Sequence, residues 1–353
     1  MQVETRLAGD PAALRRAWAA LSEQSALRIR DAAQRLGVSE AGLLATKIGE
    51  TVTRLHGDFR GAVKRAGELG RVMALTRNEH VVHEKDGRYE NIHAEQMIGM
   101  ALGQEIDLRL FFSRWKLGYA VCERKDGAMQ RSLQFFDADG TAVHKIFLRP
   151  TSNVDAFERI VADFKSPNQQ AGERVAESGK TTNKKPDAEV DVGRFHDDWV
   201  KMSDTHQFFG LLKKHGMSRT QALRLIGNEF AYAVALDSAR TMLDAARARA
   251  VSIMCFVGNA GCIQIHTGPI TSVRVMGPWL NVLDPGFNLH LREDHIAQAW
   301  VVKKPTSEGI VTSLELFAED GETMTLFFGE RKPGIPERED WRALIAELKP
   351  LKP

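Results

Sequence analysis

The chain has 353 residues, 43% apolar and 27% charged, and a formal net charge of only +2 from 48 Lys and Arg against 46 Asp and Glu. That balance excludes a fibrous or wholly disordered chain, the length predicts two domains, and polyanion binding would need a local basic patch. No apolar run approaches the roughly 18 residues of a bilayer span, the N-terminus has no apolar signal-peptide core, and an odd set of cysteines (Cys122, Cys255, Cys262) without CxxC spacing excludes a disulfide framework and points to a reducing cytoplasm.

In chain order, AAQRLGVSEAGLLATKIG has a helix–Gly–x–Ser–helix grammar. A helix-turn-helix reader of DNA shares it, but the second helix offers few basic or amide groups, so a packed helical hairpin is the better reading. HVVHEKDGRYENIH supplies His80, His83 and His93 without zinc-site spacing and reads as strand or surface. IDLRLFF, residues 106–112, alternates with period two: Leu108, Leu110 and Phe112 on one face, Asp107, Arg109 and Phe111 on the other. Arg109 beside Phe111 is either a surface cation–π pair or the lining of an aromatic pocket.

SLQFFDADG at 132–140 returns as SLELFAEDG at 313–321, an offset of 181 residues (321 less 140). AVHKIFL and ETMTLFF follow the two copies, and a helical stretch follows each of those. Upstream, RDAAQRLGVSEAGLLAT resembles FGLLKKHGMSRTQALRL, with Gly37 and Gly216 in register. Two long copies predict an internally duplicated α+β fold, each half carrying a large antiparallel sheet flanked by helices. The polar, Pro- and Gly-containing stretch 166–192 reads as an exposed flexible linker, giving an N-terminal repeat over 1–165 and a C-terminal repeat over 193–353. Cys255 and Cys262, across a turn in MCFVGNAGCIQIHTG, read as buried core thiols.

The second half opens with WVKMSDTHQFFGLLKKHGMSRTQAL. Ser203 or Asp204 suits an N-cap, Gly216 a helix end, and Ser218 with Gln221 a capping box. This puts His206 in a first helical turn, where the helix dipole disfavours imidazolium and leaves a ring nitrogen for a metal. Phe209 offers an aromatic surface, and Gly210 removes a side chain that would block a broad planar ligand. Arg219, at the start of the next helix, opposes that helix's dipole, which points to an anionic ligand. The plainer alternative is a solvent-exposed histidine beside core phenylalanines. No Walker A loop, GxGxxG or GxSxG is present.

Taken together and in order, HVVHEKDGRYENIH, IDLRLFF, SDTHQFFGLL, HGMSR, VVKKPT and FFGERKPG resemble the HemS/ChuS/PhuS family of bacterial haem-utilisation proteins, the hemin-degrading factors, over both halves. The resemblance implies haem b as cofactor and His206 as proximal iron ligand. Arg109 would lie on the distal side, with Phe111 and Phe209 flanking the cleft. Arg219 and Lys304 would meet the propionates, Arg331 nearby, and Phe256 would pack on the porphyrin; buried carboxylates need such cations. Thr325 and Phe328 stand where family members carry a tyrosine pair. The implied function is a cytoplasmic haem-binding protein passing b-type haem from an inner-membrane importer to a haem oxygenase. Reductant-dependent haem degradation beside Arg109 is the alternative, and a haem-responsive DNA-binding regulator and a homodimer stay open.

Overall fold

Strands form here where alternating apolar residues meet turn residues able to reverse the chain. β7 (Leu117–Lys125) and β8 (Ala128–Phe136) join through Asp126 and Gly127, whose φ values of 50° and 80° make the two-residue turn that matches strand twist. The computed structural model describes residues 10–24, 27–177, 179, 184–332 and 334–351.

The chain divides into two compact units. The first comprises Met1–Arg77, Glu84–Gly179 and Asn259–Gln264; the second comprises Asn78–His83, Lys180–Gly258 and Ile265–Pro353. Each unit therefore takes one short segment from the opposite half of the sequence.

In the first unit, β1 (Val52–Leu55), β7, β8, β9 (Ala142–Leu148) and β2 (Val72–Arg77) lie side by side in that order, every pair antiparallel. A separate run joins β4 (Ile92–His93), β5 (Ile98–Leu102) and β6 (Asp107–Phe111). The second unit repeats the plan. Its main run is β10 (Ala231–Val234), β16 (Gln298–Thr306), β17 (Gly309–Phe317), β18 (Thr323–Gly329) and β11 (Ile253–Gly258), also antiparallel. A separate run again joins β13 (Val273–Met276), β14 (Trp279–Asp284) and β15 (Phe287–Arg292), and the remaining strands, β3 (Val81–Gly87) and β12 (Cys262–Gly268), each carry residues assigned to both units. Ser132 faces Phe147 and Ser313 faces Phe328, and both hairpins shift register at the same place, Phe135/Phe136 and Leu316/Phe317. The architecture is the duplicated α+β fold with large antiparallel sheets.

The helical openings are shorter than the sequence pattern suggested. In the first unit α1 (Pro11–Gln24), α2 (Ile29–Arg35) and α3 (Glu40–Ala45) come first, and α3 stops before β1. Five of its six residues are buried, so α3 is spent on packing, as a helical hairpin requires, and has little surface left to read a DNA groove. After α4 (Phe59–Lys64) and the strands, α5 (Val154–Phe164) completes the unit. In the second unit α6 (Val192–Val200), α7 (Gln207–His215) and α8 (Arg219–Leu225) precede β10, and α9 (Ser238–Arg249) and α10 (Glu339–Ala346) follow. Phe195, Trp199 and Phe208 meet edge to face, with ring centroids 5.8 and 5.2 Å apart, and seat α6 and α7 on one core. Losing one such aromatic to Ala costs about 3–5 kcal/mol.

Much of the stretch expected to be an exposed flexible linker is bonded to its unit. Gln169 exchanges two hydrogen bonds with the Arg54 backbone, at 3.1 and 2.9 Å. The Glu173 carboxylate pairs with Arg54 and accepts from the Tyr119 hydroxyl at 2.6 Å. In the second unit, Lys185 N donates to Gly216 O at 2.9 Å and Asp187 accepts from Gln221 Nε2 at 2.7 Å. Polar side chains can dock a segment that has no apolar periodicity. Residues 178 and 180–183 of that stretch lie outside the described residues.

Candidate functional site

α7 owes its orientation to its amphipathic face. Phe208, Leu211, Leu212 and His215 are buried, which leaves His206, Phe209, Gly210 and Lys213 on the exposed side. Gly216, with φ 67°, ends the helix in the left-handed region where a side chain would be strained. The expected capping box is present: Ser218 Oγ accepts from Gln221 N at 3.1 Å, and Gln221 Oε1 accepts from Ser218 N at 3.3 Å.

His206 stands earlier in the helix than expected, as the N-cap residue of α7 itself and not within its first turn, with helical φ −68° and ψ −22°. Asp204 does not occupy the cap. Its Oδ1 instead accepts from His206 N at 2.7 Å and lies 2.6 Å from His206 Nδ1. That backbone hydrogen bond first, and the ring contact with it, hold the Asp204 carboxyl below its usual range, and the charge of Arg331 adds to the effect. The His206 side chain is 88% exposed, and its Nε2 has no partner among the described residues. Phe209 is 78% exposed. A Cβ added to Gly210 would meet nothing within 4 Å. A donor nitrogen, an exposed aromatic ring and a bare backbone thus share one face, suited to a flat, metal-bearing ligand.

Arg219 and Lys304 come together around one carboxylate. Glu315 is fully buried, accepting from Arg219 Nε at 2.7 Å, Arg219 Nη2 at 2.9 Å and Lys304 Nζ at 2.5 Å. Both cations also lie over the Phe208 ring, at 4.9 and 4.7 Å from its centroid. Burial opposes ionisation of Glu315, yet the two cations outweigh it and keep the carboxyl well below its usual range. Burial pulls Lys304 down to about 8, against the attraction of Glu315. The anion that offsets a cation at the start of α8 is therefore supplied within the chain. Arg219 keeps 24% of its side chain exposed, Lys304 only 3%, so of the two Arg219 is the one open to an outside anion.

Arg331 is not in this cluster; its guanidinium lies 4.0 Å from Glu308. Phe256 and Phe328 meet edge to face at 5.1 Å. Thr325 is buried and donates to Phe256 O at 2.9 Å, so its hydroxyl is turned inward, not presented to a ligand.

In the first unit, Arg109 pairs with Asp107 on its own strand, and Phe111 is half-buried beside it. Their neighbours across the ladder are Met100 and Ile98, which with Leu102 form an exposed apolar stripe on β5. Asp204 was expected only as a helix cap, and the residues passed over in the sequence are Glu315 and this stripe. Its signal was the alternation in IGMAL, large side chains on one face and Gly99 and Ala101 on the other. A shallow cleft of about 190 Å³ between α6 and α7 is lined by Asp198, Lys201, Met202, Gln207, Gly210, Leu211 and Lys214 and does not include His206.

The chain matches the Haemin-degrading HemS.ChuX domain twice, over residues 37–164 and 216–348, starting at the two glycines that the internal repeat puts in register. It is 39% identical over 320 residues to the hemin transport protein HmuS of Yersinia pestis, covering 90% of this chain and 92% of that one. Among solved structures it is similar to holo-PhuS, a heme-binding protein from Pseudomonas aeruginosa, at 45% identity and a TM-score of 0.94, covering 97% of this chain and 100% of that one. It is also similar to ChuS, a heme degrading enzyme of Escherichia coli O157:H7, at 35% identity and a TM-score of 0.90, covering 96% and 99% of the two chains.

Proposed function

Because the chain belongs to the family of the Haemin-degrading HemS.ChuX domain, we propose that it binds b-type haem through His206 and serves haem utilisation by passing the haem on. The observation that carries this reading is the exposed face of α7: a free imidazole Nε2 at the helix start, an exposed Phe209 ring, and an open Gly210. Iron protoporphyrin supplies an open axial coordination position and a one-electron couple. The chain's part is to donate one nitrogen, present an aromatic surface and offer cations to the propionates.

Arg219 is the proposed propionate partner, since its guanidinium is partly exposed while Glu315 holds it in place. Lys304 supports the same patch from its buried position. Phe256 and Phe328 are proposed as apolar neighbours of the ring and Arg331 as a further cation. Family resemblance, without support from geometry, extends the contact set to Arg109 and Phe111.

A single axial imidazole keeps iron bound yet transferable, which suits delivery from a membrane importer to a haem oxygenase in the cytoplasm. No helix among the described residues is long and apolar enough to cross a membrane. The test is the absorption spectrum of wild type and His206→Ala with one equivalent of hemin. Loss of the histidine-ligated Soret signature in the variant supports the reading, and an unchanged spectrum overturns it. Adding a reductant with catalase then separates carriage from degradation: an intact haem spectrum leaves delivery, and its decay favours turnover.

A further inference from the structure

We infer that Asp204 is the positioning residue that sets the ligand strength of His206. The inference rests on His206 being the axial ligand. One carboxylate oxygen, Asp204 Oδ1, holds both the backbone N–H of His206 at 2.7 Å and its ring Nδ1 at 2.6 Å. A carboxylate only accepts, so the hydrogen sits on Nδ1 and the lone pair is left on Nε2. The imidazole is thus fixed in tautomer and in direction before any iron arrives.

The surrounding turn is closed by a second clasp. Gln207 Oε1 accepts from Ser203 N at 2.9 Å, and Gln207 Nε2 donates to Ser203 Oγ at 3.3 Å. Two side chains therefore lock residues 203–207, and Asp204 is the charged one. An anion bonded to Nδ1–H makes the opposite nitrogen a stronger donor and favours the ferric over the ferrous state. Asp204 is 57% exposed and His206 88%, so neither is a core residue and substitution there leaves the packing intact.

Asp204→Asn is the informative variant: the amide oxygen can still accept from both N–H groups, so only the charge is removed. In the haem-loaded protein, the midpoint potential is expected to rise by the equivalent of about a tenfold loss of ferric preference, ~59 mV for a one-electron couple. Haem loss to an apo-globin acceptor is expected to quicken by about 10–100-fold. Asp204→Glu, which keeps the charge, should stay near the wild-type potential. If His206→Ala abolishes the histidine-ligated spectrum while Asp204→Asn leaves potential and off-rate unchanged, the role of Asp204 is refuted and the axial assignment stands. A wild-type spectrum from His206→Ala would instead overturn the axial assignment, and this inference with it.

Discussion

Asn78 and Asn259, 181 positions apart, make the same four hydrogen bonds. Asn78 Oδ1 accepts from the N–H groups of His80 and Val81, each at 2.9 Å, and its Nδ2 donates to Gly258 O and Met324 O at 3.0 and 2.9 Å. Asn259 Oδ1 accepts from Gly261 and Cys262 at 2.9 and 3.0 Å, and its Nδ2 donates to Arg77 O and Val143 O at 2.9 Å each. Each asparagine opens the short segment that its unit takes from the opposite half. Asn259→Ala leaves two N–H and two C=O groups without their partner, and is expected to cost about 3 kcal/mol in urea unfolding. A loss below about 1 kcal/mol would show that solvent replaces the amide there.

A second correspondence is one of composition and not of position. Ser39 and Ser218 both cap their helices, so Glu40 stands in the first repeat where Arg219 stands in the second. Each reaches a buried triad of one carboxylate and two cations: Glu40 with Arg77 and Lys145, Arg219 with Glu315 and Lys304. The charge at the helix start is reversed and the partners come from non-equivalent strands, β2 and β9 in one repeat and β16 and β17 in the other, yet the composition is the same, which identifies pinning of the helix to the sheet as a shared purpose. Glu40→Ala would strand two buried cations and is expected to cost about 3–5 kcal/mol. The check is a shifted urea midpoint at unchanged slope.

The same triad predicts an acid limit. Burial disfavours ionised Glu40, but Lys145 and Arg77 prevail and lower its carboxyl to about 2, from an unfolded value of 4.5. A carboxyl depressed in the folded state binds its proton more readily when unfolded, so its contribution is complete above pH 4.5 and fades as the pH falls towards 2. That contribution is about 3 kcal/mol. Unfolding followed from pH 6 down to roughly pH 2 should show this decline, and Glu40→Gln should flatten it. Equal slopes in the two proteins would contradict it.

Much of this was legible in the sequence, because duplication prints itself as a constant offset. The paired glycines 37 and 216, the Ser218–Gln221 capping box and the alternation of β6 all depend on local spacing, and all are present. The partner of Arg219 was not legible. A cation at a helix start was read as waiting for an outside anion, yet Glu315, 96 residues away, already faces it. Nor was the exchange of segments between units, since residues 78–83 and 259–264 look like ordinary turn-and-strand sequence in either half. Thr325 kept a hydroxyl, as the sequence says, but which way that hydroxyl turns depends on the carbonyl of Phe256 across the ladder.

Phe209 separates a functional surface from a structural one. A ring that is 78% exposed contributes little to the core, so Phe209→Ala should change unfolding stability by no more than about 0.5 kcal/mol. If α7 presents that ring to a porphyrin, the variant should bind hemin about 10-fold more weakly, since an aromatic contact is worth roughly 0.5–1.5 kcal/mol beyond its buried area. The Soret position should stay where it is, because His206 is untouched. Arg219→Ala is the contrasting case: it strands part of a buried charge network with Glu315, so it should lose stability and hemin affinity together. Hemin titrations and urea curves on the same two variants distinguish them. A Phe209→Ala protein with wild-type affinity would mean that this exposed ring faces something other than the porphyrin.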